Sequence, residues 1–164
     1  MVVQPIEGPF AEIAGVIQRV EVALLTTVDR DGRFHTRPLQ TLGIESDRSL
    51  WFFTAAGSEK AHELLHDVRL SLAYADRRSG SYVAIAGTGR ILHDPAKARL
   101  LWTMEQRAYY PRGADDERLA LLCVRVERAE CWIAPGKSVH LLAAIAARIS
   151  GTPATIVGRH FSIP

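Results

Sequence analysis

The sequence predicts a mainly β (α+β) protein, an antiparallel sheet curled into a barrel with short flanking helices and a helix near its C-terminus. Three observations carry that prediction. Apolar residues alternate with period two through most of residues 20–134, the mark of half-buried strands. The alternating runs are joined mostly by tight turns, which implies hairpins and antiparallel pairing. There are about seven such runs, enough to close on themselves. A doubly wound parallel sheet would need a helix after nearly every strand, and helical spacing is too sparse for that.

Residues 9–19 carry Phe10, Ile13, Ala14 and Ile17 at helical spacing. Val22, Leu24, Thr26 and Val28 then alternate with Ala23, Leu25 and Thr27, and Asp29-Arg30-Asp31-Gly32 turns the chain. A strand over 34–44 follows, then Glu45-Ser46-Asp47-Arg48, then a strand over 50–54. Ser58 is placed to cap a short helix over 58–66. A strand over 68–74 turns at Arg78-Ser79-Gly80 into a long strand over 82–92, where Gly87 and Gly89 predict a bulge or a close backbone approach. Asp94-Pro95 opens a helix expected to run through Gln106. Two strands, 121–126 and 129–134, are expected around a hairpin turn, with Cys123 and Cys131 facing each other as small core residues. Pro135-Gly136 stops the sheet, and an Ala/Leu-rich helix follows over about 138–149.

The 164 residues suit a single domain, with an N-terminal helix in 1–19, a barrel in 20–135 and a helix and tail in 136–164. Hydrophobic residues make up 48% and charged residues 23%, and the net charge is +2, ordinary values for a soluble domain. The arginines are scattered rather than gathered in a basic stripe, which argues against nucleic acid. The N-terminus has no basic start followed by an apolar core. The apolar run 141–147 is far shorter than a membrane span. Two cysteines do not make a secreted disulfide scaffold. A cytoplasmic protein is expected, without nucleic-acid or membrane partners.

The most informative stretch is Phe52-Phe53-Thr54-Ala55-Ala56-Gly57-Ser58-Glu59-Lys60, a strand, a Gly/Ser loop and a helix with a Lys in its first turn. Lysine occurs only at 60, 97 and 137. A cation at a helix start faces the positive end of the dipole, whereas an anion bound there would satisfy both. Ser58 and Lys60 are therefore read as a phosphate site. Arg37 precedes Pro38, which marks a strand edge or bulge. With Thr54 it completes a set of guanidinium, ammonium and two hydroxyls suited to a phosphate dianion. The bland alternative for Arg37 is a solvent-facing side chain beside an edge proline.

Three other strings carry chemistry on paper. His62-Glu63-Leu64-Leu65-His66 matches a zinc-protease helix. However, an apolar face of Ala61, Leu64 and Leu65 would leave both His and Glu63 on the solvated flank, and a third ligand is missing. No metal site is expected. Gly87-Thr88-Gly89 lacks the third glycine and the βαβ setting of a dinucleotide fingerprint. Trp132, near a strand end, is a core residue or a platform for a planar ligand.

A further set of motifs recurs in order: Thr36-Arg37-Pro38-Leu39, Leu50-Trp51-Phe52-Phe53-Thr54 with Ser58 and Lys60, Ser81-Tyr82-Val83 with Gly87, Leu101-Trp102, Tyr110-Pro111-Arg112-Gly113 before Asp115-Asp116, and Glu130-Cys131-Trp132. Over residues 20–135 the chain resembles the FMN-binding split β-barrel proteins related to pyridoxamine 5′-phosphate oxidase, and most of all their general stress protein branch. The resemblance implies a homodimer with FMN at the subunit interface and leaves FAD or a deazaflavin as alternatives. Arg37, Ser58 and Lys60 would hold the phosphate, with Thr54 close by. The backbone of Pro38, Leu39 and Gln40 would lie along the flavin ring, and Phe53 would line the pocket. Gln106, Tyr110 and Trp132 would come from the partner subunit.

A flavin-dependent oxidoreductase is the function this implies, with an unidentified small-molecule donor or substrate and no catalytic residue assigned. The alternative is a flavin-binding or sensing protein without turnover, and a more distant one is a zinc hydrolase. The basic Arg-Leu-His stretch that pyridoxamine phosphate oxidases carry near the C-terminus is absent, which argues against that particular reaction.

Overall fold

The computed structural model describes residues 1–134 and 158–164; the helix expected over 138–149 lies outside them. Eight strands form one sheet, β1 (Val2–Val3), β2 (Val22–Val28), β3 (Phe34–Ile44), β4 (Ser49–Ala55), β5 (Arg69–Asp76), β6 (Ser81–Leu92), β7 (Leu119–Ile133) and β8 (Arg159–Ile163). Among the described residues the helices are α1 (Phe10–Val20), α2 (Glu59–His66) and α3 (Pro95–Leu101). The order β3-β2-β5-β6-β7-β4 closes through a β3–β4 pairing into a six-stranded barrel. All six of those pairings are antiparallel, as the hairpin pattern predicts. The short β1 pairs parallel to β3, and β8 adds to β7. Neither was anticipated, because two valines and a five-residue tail carry too little periodicity.

The barrel interior holds Leu25, Phe52, Leu72, Ile85 and Leu122, all nearly inaccessible to solvent. The apolar stripe of α1, from Phe10 to Ile17, joins this core and packs on β2, β5 and β6. A second cluster, Leu42, Phe53, Ala98, Leu101, Tyr110, Leu119 and Leu121, lies outside the first.

Two expectations are corrected here. The strands expected on either side of a turn at 127–128 are one continuous β7. Glu127 is the extra residue of a bulge, because Ala86 pairs with Arg128 but Gly87 pairs with Val126. The bulge switches which residues face inward, from Leu122, Val124 and Val126 to Ala129 and Cys131. Cys123 and Cys131 are thus far apart along one strand and do not face each other. The bulge also explains Gly87, where a Cβ would lie 2.2 Å from the Arg125 carbonyl oxygen. Secondly, α3 stops at Leu101, because Trp102 is extended. A separate 3-10 turn, Met104–Ala108, follows it.

Candidate functional site

β3 and β4 are neighbours for only part of their lengths. They pair from Thr41 to Ile44 on β3. Before Thr41, β3 keeps β2 as its partner, with Pro38 opposite Leu24. Beyond Phe52, β4 keeps β7, with Phe53 opposite Leu121 and Thr54 opposite Ala120. The strands part there, and the wedge between them is a cleft of ≈ 340 Å³, within the range of small-molecule sites. Pro38 occupies the half of β3 that is an edge, as its missing N–H predicts.

One wall is Pro38, Leu39, Gln40 and Leu42 from β3, and the other is Phe53, Thr54 and Ala55 from β4. Lys60 closes one end, while Gln106, Tyr109 and Tyr110 close the other. Gln106 is buried, and its Nε2 donates to Gln40 Oε1 at 2.9 Å. Tyr110 meets Phe53 edge-on, with ring centroids 6.3 Å apart. Burial first, and then the nearby Asp116 charge, push the Tyr110 phenol above its ordinary pKa. The cleft thus has an aromatic and amide end and a cationic end.

The cationic end is built by the start of α2. Ser58 is its N-cap residue, in extended conformation, yet its hydroxyl makes no capping bond. It lies 3.0 Å from the Thr54 hydroxyl instead. The first N–H groups of any helix lack intrahelical partners, so both they and these hydroxyls can serve a ligand. Lys60 makes no ion pair among the described residues. Its pKa is lowered, first by burial and then by the charge of Arg37, with Glu63 and Glu59 opposing in part. Lys60 and the first N–H groups of α2 put positive potential at this end of the cleft, while Arg37 is paired with Glu63.

Arg37 is held behind that end by a closed set of bonds. Its Nη2 donates to both Glu63 oxygens, at 2.9 and 3.2 Å. Its Nη1 donates to the Thr27 hydroxyl, which donates in turn to Glu63 Oε2. His35 Nδ1 lies 2.9 Å from Glu63 Oε1. Burial would raise the Glu63 pKa, but the bonds from Thr27 and Arg37 outweigh it and the carboxyl is held below its usual range.

Glu63 therefore departs from the sequence expectation. It is 7% exposed, whereas Leu65, expected on the apolar face, is 77% exposed. The buried arc of α2 holds Ala61, Glu63 and Leu64, so the helix is rotated by about one position from the hydrophobic reading. His62 and His66 are exposed. With Glu63 committed to Arg37 and Thr27, it is not free to serve as a zinc hydrolase's general base. Among the described residues no three His, Cys, Asp or Glu are grouped to hold a metal.

Of the residues singled out from sequence, Pro38, Leu39, Gln40, Phe53, Thr54, Lys60, Gln106 and Tyr110 converge on the cleft. Ser58 adjoins the cleft through Thr54, whereas Arg37 is not one of its wall residues and lies behind Lys60, whose pKa its charge lowers. Gln106 and Tyr110 were expected from a partner subunit but line the same chain's cleft. Trp132 does not join them. It sits at the far end of β7, opposite Tyr82 and stacked on His160 with ring centroids 4.9 Å apart. Sequence reasoning missed Tyr109 and the Thr27–Glu63–His35 set. The i, i+3 spacing of Lys60 and Glu63 was the available signal, since it puts both on one flank of a helix.

The family described as pyridoxamine 5′-phosphate oxidase like matches residues 9–153. No curated protein matches the chain. Solved structures of similar fold include a Clostridium acetobutylicum protein related to general stress protein 26 of the pyridoxinephosphate oxidase family, at 20% identity and TM-score 0.69 over 93% of each chain. General stress protein 26 from Bacillus anthracis matches at 16% identity and TM-score 0.67, over 74% of this chain and 91% of that one. The general stress FMN/FAD binding protein of Xanthomonas citri matches at 28% identity and TM-score 0.64, over 74% and 86%. No helix among the described residues is long and apolar enough to cross a membrane.

Proposed function

The chain belongs to the pyridoxamine 5′-phosphate oxidase-like family, and from that premise we propose that it is a flavoprotein binding FMN in the β3–β4 cleft. One observation carries this reading: Lys60, with no ion pair among the described residues, the uncapped start of α2 and the Thr54 and Ser58 hydroxyls meet at one end of the cleft. Phosphate suits the cationic end, where Lys60 supplies the charge and Arg37, paired with Glu63, supplies an oriented guanidinium. A planar ring suits the space between the β3 edge at Pro38–Gln40 and Phe53. The buried Gln106 amide suits the polar rim of such a ring.

Bound FMN would supply electron or hydride transfer. The chain's residues would bind and orient it, with Lys60 and the start of α2 at its phosphate. Among the described residues the cleft walls contain no carboxylate, imidazole or thiol. The titratable groups on those walls are Lys60, Tyr109 and Tyr110, and the reading is a flavin-dependent oxidoreductase with no acid or base assigned. A screen of NADH, NADPH and reduced deazaflavin for flavin reduction separates this from binding without turnover.

The protein is expected to act as a homodimer. The outward face of β2, β5 and β6 supports this: exposed Leu24 lies beside Ala73, Ala73 beside Ala84, and exposed Tyr82 beside Trp132. This small-residue and apolar face adjoins Pro38 at the cleft edge. It suits a second copy, and Trp132 would then reach the partner's site.

The test is the visible spectrum of purified protein after FMN addition and desalting. About one retained flavin per chain is expected. A colourless protein that cannot hold FMN would remove the proposal.

A further inference from the structure

We propose that Glu63 is a positioning residue for phosphate recognition, acting through Arg37 rather than by touching the ligand. The inference deepens the flavin reading and rests on it. Glu63 is absent from the walls of the cleft, yet it accepts from Thr27 and, through both oxygens, from Arg37. The bonds fix one edge of the guanidinium, so that its remaining N–H groups are presented in a single orientation. An arginine side chain has many rotamers, and holding one of them before the ligand arrives removes an ordering cost from binding.

Two opposing effects follow from a carboxylate so near an anion site. Its negative charge disfavours phosphate, whereas its grip on Arg37 favours it. The bonds decide between them. Glu63 is matched by the full charge of Arg37, the Thr27 hydroxyl and His35 Nδ1. What reaches the cleft is the field of a neutralised pair plus an oriented guanidinium. Thr27, itself fully buried, completes the ring as acceptor from Arg37 and donor to Glu63. Beyond it, His35 Nε2 lies 3.3 Å from Asp29 Oδ2, which ties the ring to the β2–β3 turn.

Riboflavin, which shares the ring system of FMN and lacks the phosphate, isolates the effect. Glu63→Gln keeps the size of the side chain but turns one acceptor into a donor that meets Arg37 or Thr27 unfavourably. It should weaken FMN binding about tenfold and leave riboflavin binding within about twofold. In an Arg37→Ala background the same change should have no further effect on FMN. Thr27→Val, which preserves shape and removes the hydroxyl, should weaken FMN selectively as well and serves if Glu63→Gln fails to fold.

FMN affinity unchanged or tightened in Glu63→Gln would overturn the proposal, as would equal losses for FMN and riboflavin, or an undiminished loss in the Arg37→Ala background. Wild-type protein that does not bind FMN would overturn the flavin reading itself, and this inference with it. Wild-type binding with an insensitive Glu63 overturns only the latter.

Discussion

Lys60 and Lys97 are both partly buried, and their surroundings are opposite. Lys97 Nζ pairs with Glu45, and it lies 4.6 Å from the centre of the Trp51 ring. Its charge is matched by an anion and an aromatic face, so the protein itself supplies everything the ammonium needs. Lys60 makes no ion pair among the described residues and has Arg37 close enough to lower its pKa. One lysine completes the fold. The other has no ion-pair partner among the described residues and only partial compensation from Glu63 and Glu59 beside an open cleft, an arrangement that suits an anionic ligand.

The largest expected contrast is in ligand affinity. Lys60→Ala and Arg37→Ala should each weaken FMN binding roughly 10- to 100-fold, the scale of a charge-assisted hydrogen bond. Lys97→Ala should leave it within about twofold, with flavin fluorescence titration as the measurement. Comparable losses at all three positions would erase the distinction.

In stability the order reverses. Lys97→Ala leaves Glu45 without its cation and should cost about 1–2 kcal/mol in denaturant unfolding. Lys60→Ala should cost the ligand-free protein less, because it removes an unmatched charge.

The pH dependence follows from the sign of the Lys60 shift. Its folded pKa lies below the ordinary lysine value. In the alkaline window between the two values the unfolded chain holds the proton more tightly, so ligand-free stability should rise with pH. FMN affinity should fall over the same window as the ammonium is lost. Lys60→Arg should flatten both trends, since arginine stays charged. Affinity that does not change through this window would mean that Lys60 does not contact the phosphate.

The smallest effect is expected at Ser58. Its hydroxyl does not cap α2, so Ser58→Ala should change ligand-free stability by no more than about 0.5 kcal/mol. FMN affinity should still drop a few-fold, about one neutral hydrogen bond.

Most of the barrel was legible because half-buried antiparallel strands write their burial as alternation. The convergence of Thr54, Ser58 and Lys60 at the start of α2 was legible because a lysine in a first helical turn after a Gly/Ser loop conflicts with the local dipole, and the conflict is local in sequence. What was illegible is non-local. Glu127-Arg128 reads as a turn, and only the pairing with β6 shows it as a bulge in a continuous strand. Glu63 reads as solvated, because periodicity sorts residues by polarity. Its burial depends on Arg37 and Thr27, contributed by two strands distant in sequence. The break at Trp102 carries no proline or glycine to announce it. It leaves Gln106 and Tyr110 on the wall of their own chain's cleft.

The parting of β3 and β4 has a consequence for the order of assembly. β3 and β4 form a local hairpin, but the half of β4 that walls the cleft is held by β7, through pairs such as Thr54 with Ala120. Closing so long a loop is entropically costly and slow. During synthesis the hairpin emerges well before β7, so for that interval one wall of the cleft has no strand to hold it. The nascent chain therefore gains its cleft only when the barrel closes. A ligand that bound this cleft would stabilise the finished structure rather than template the early steps of folding.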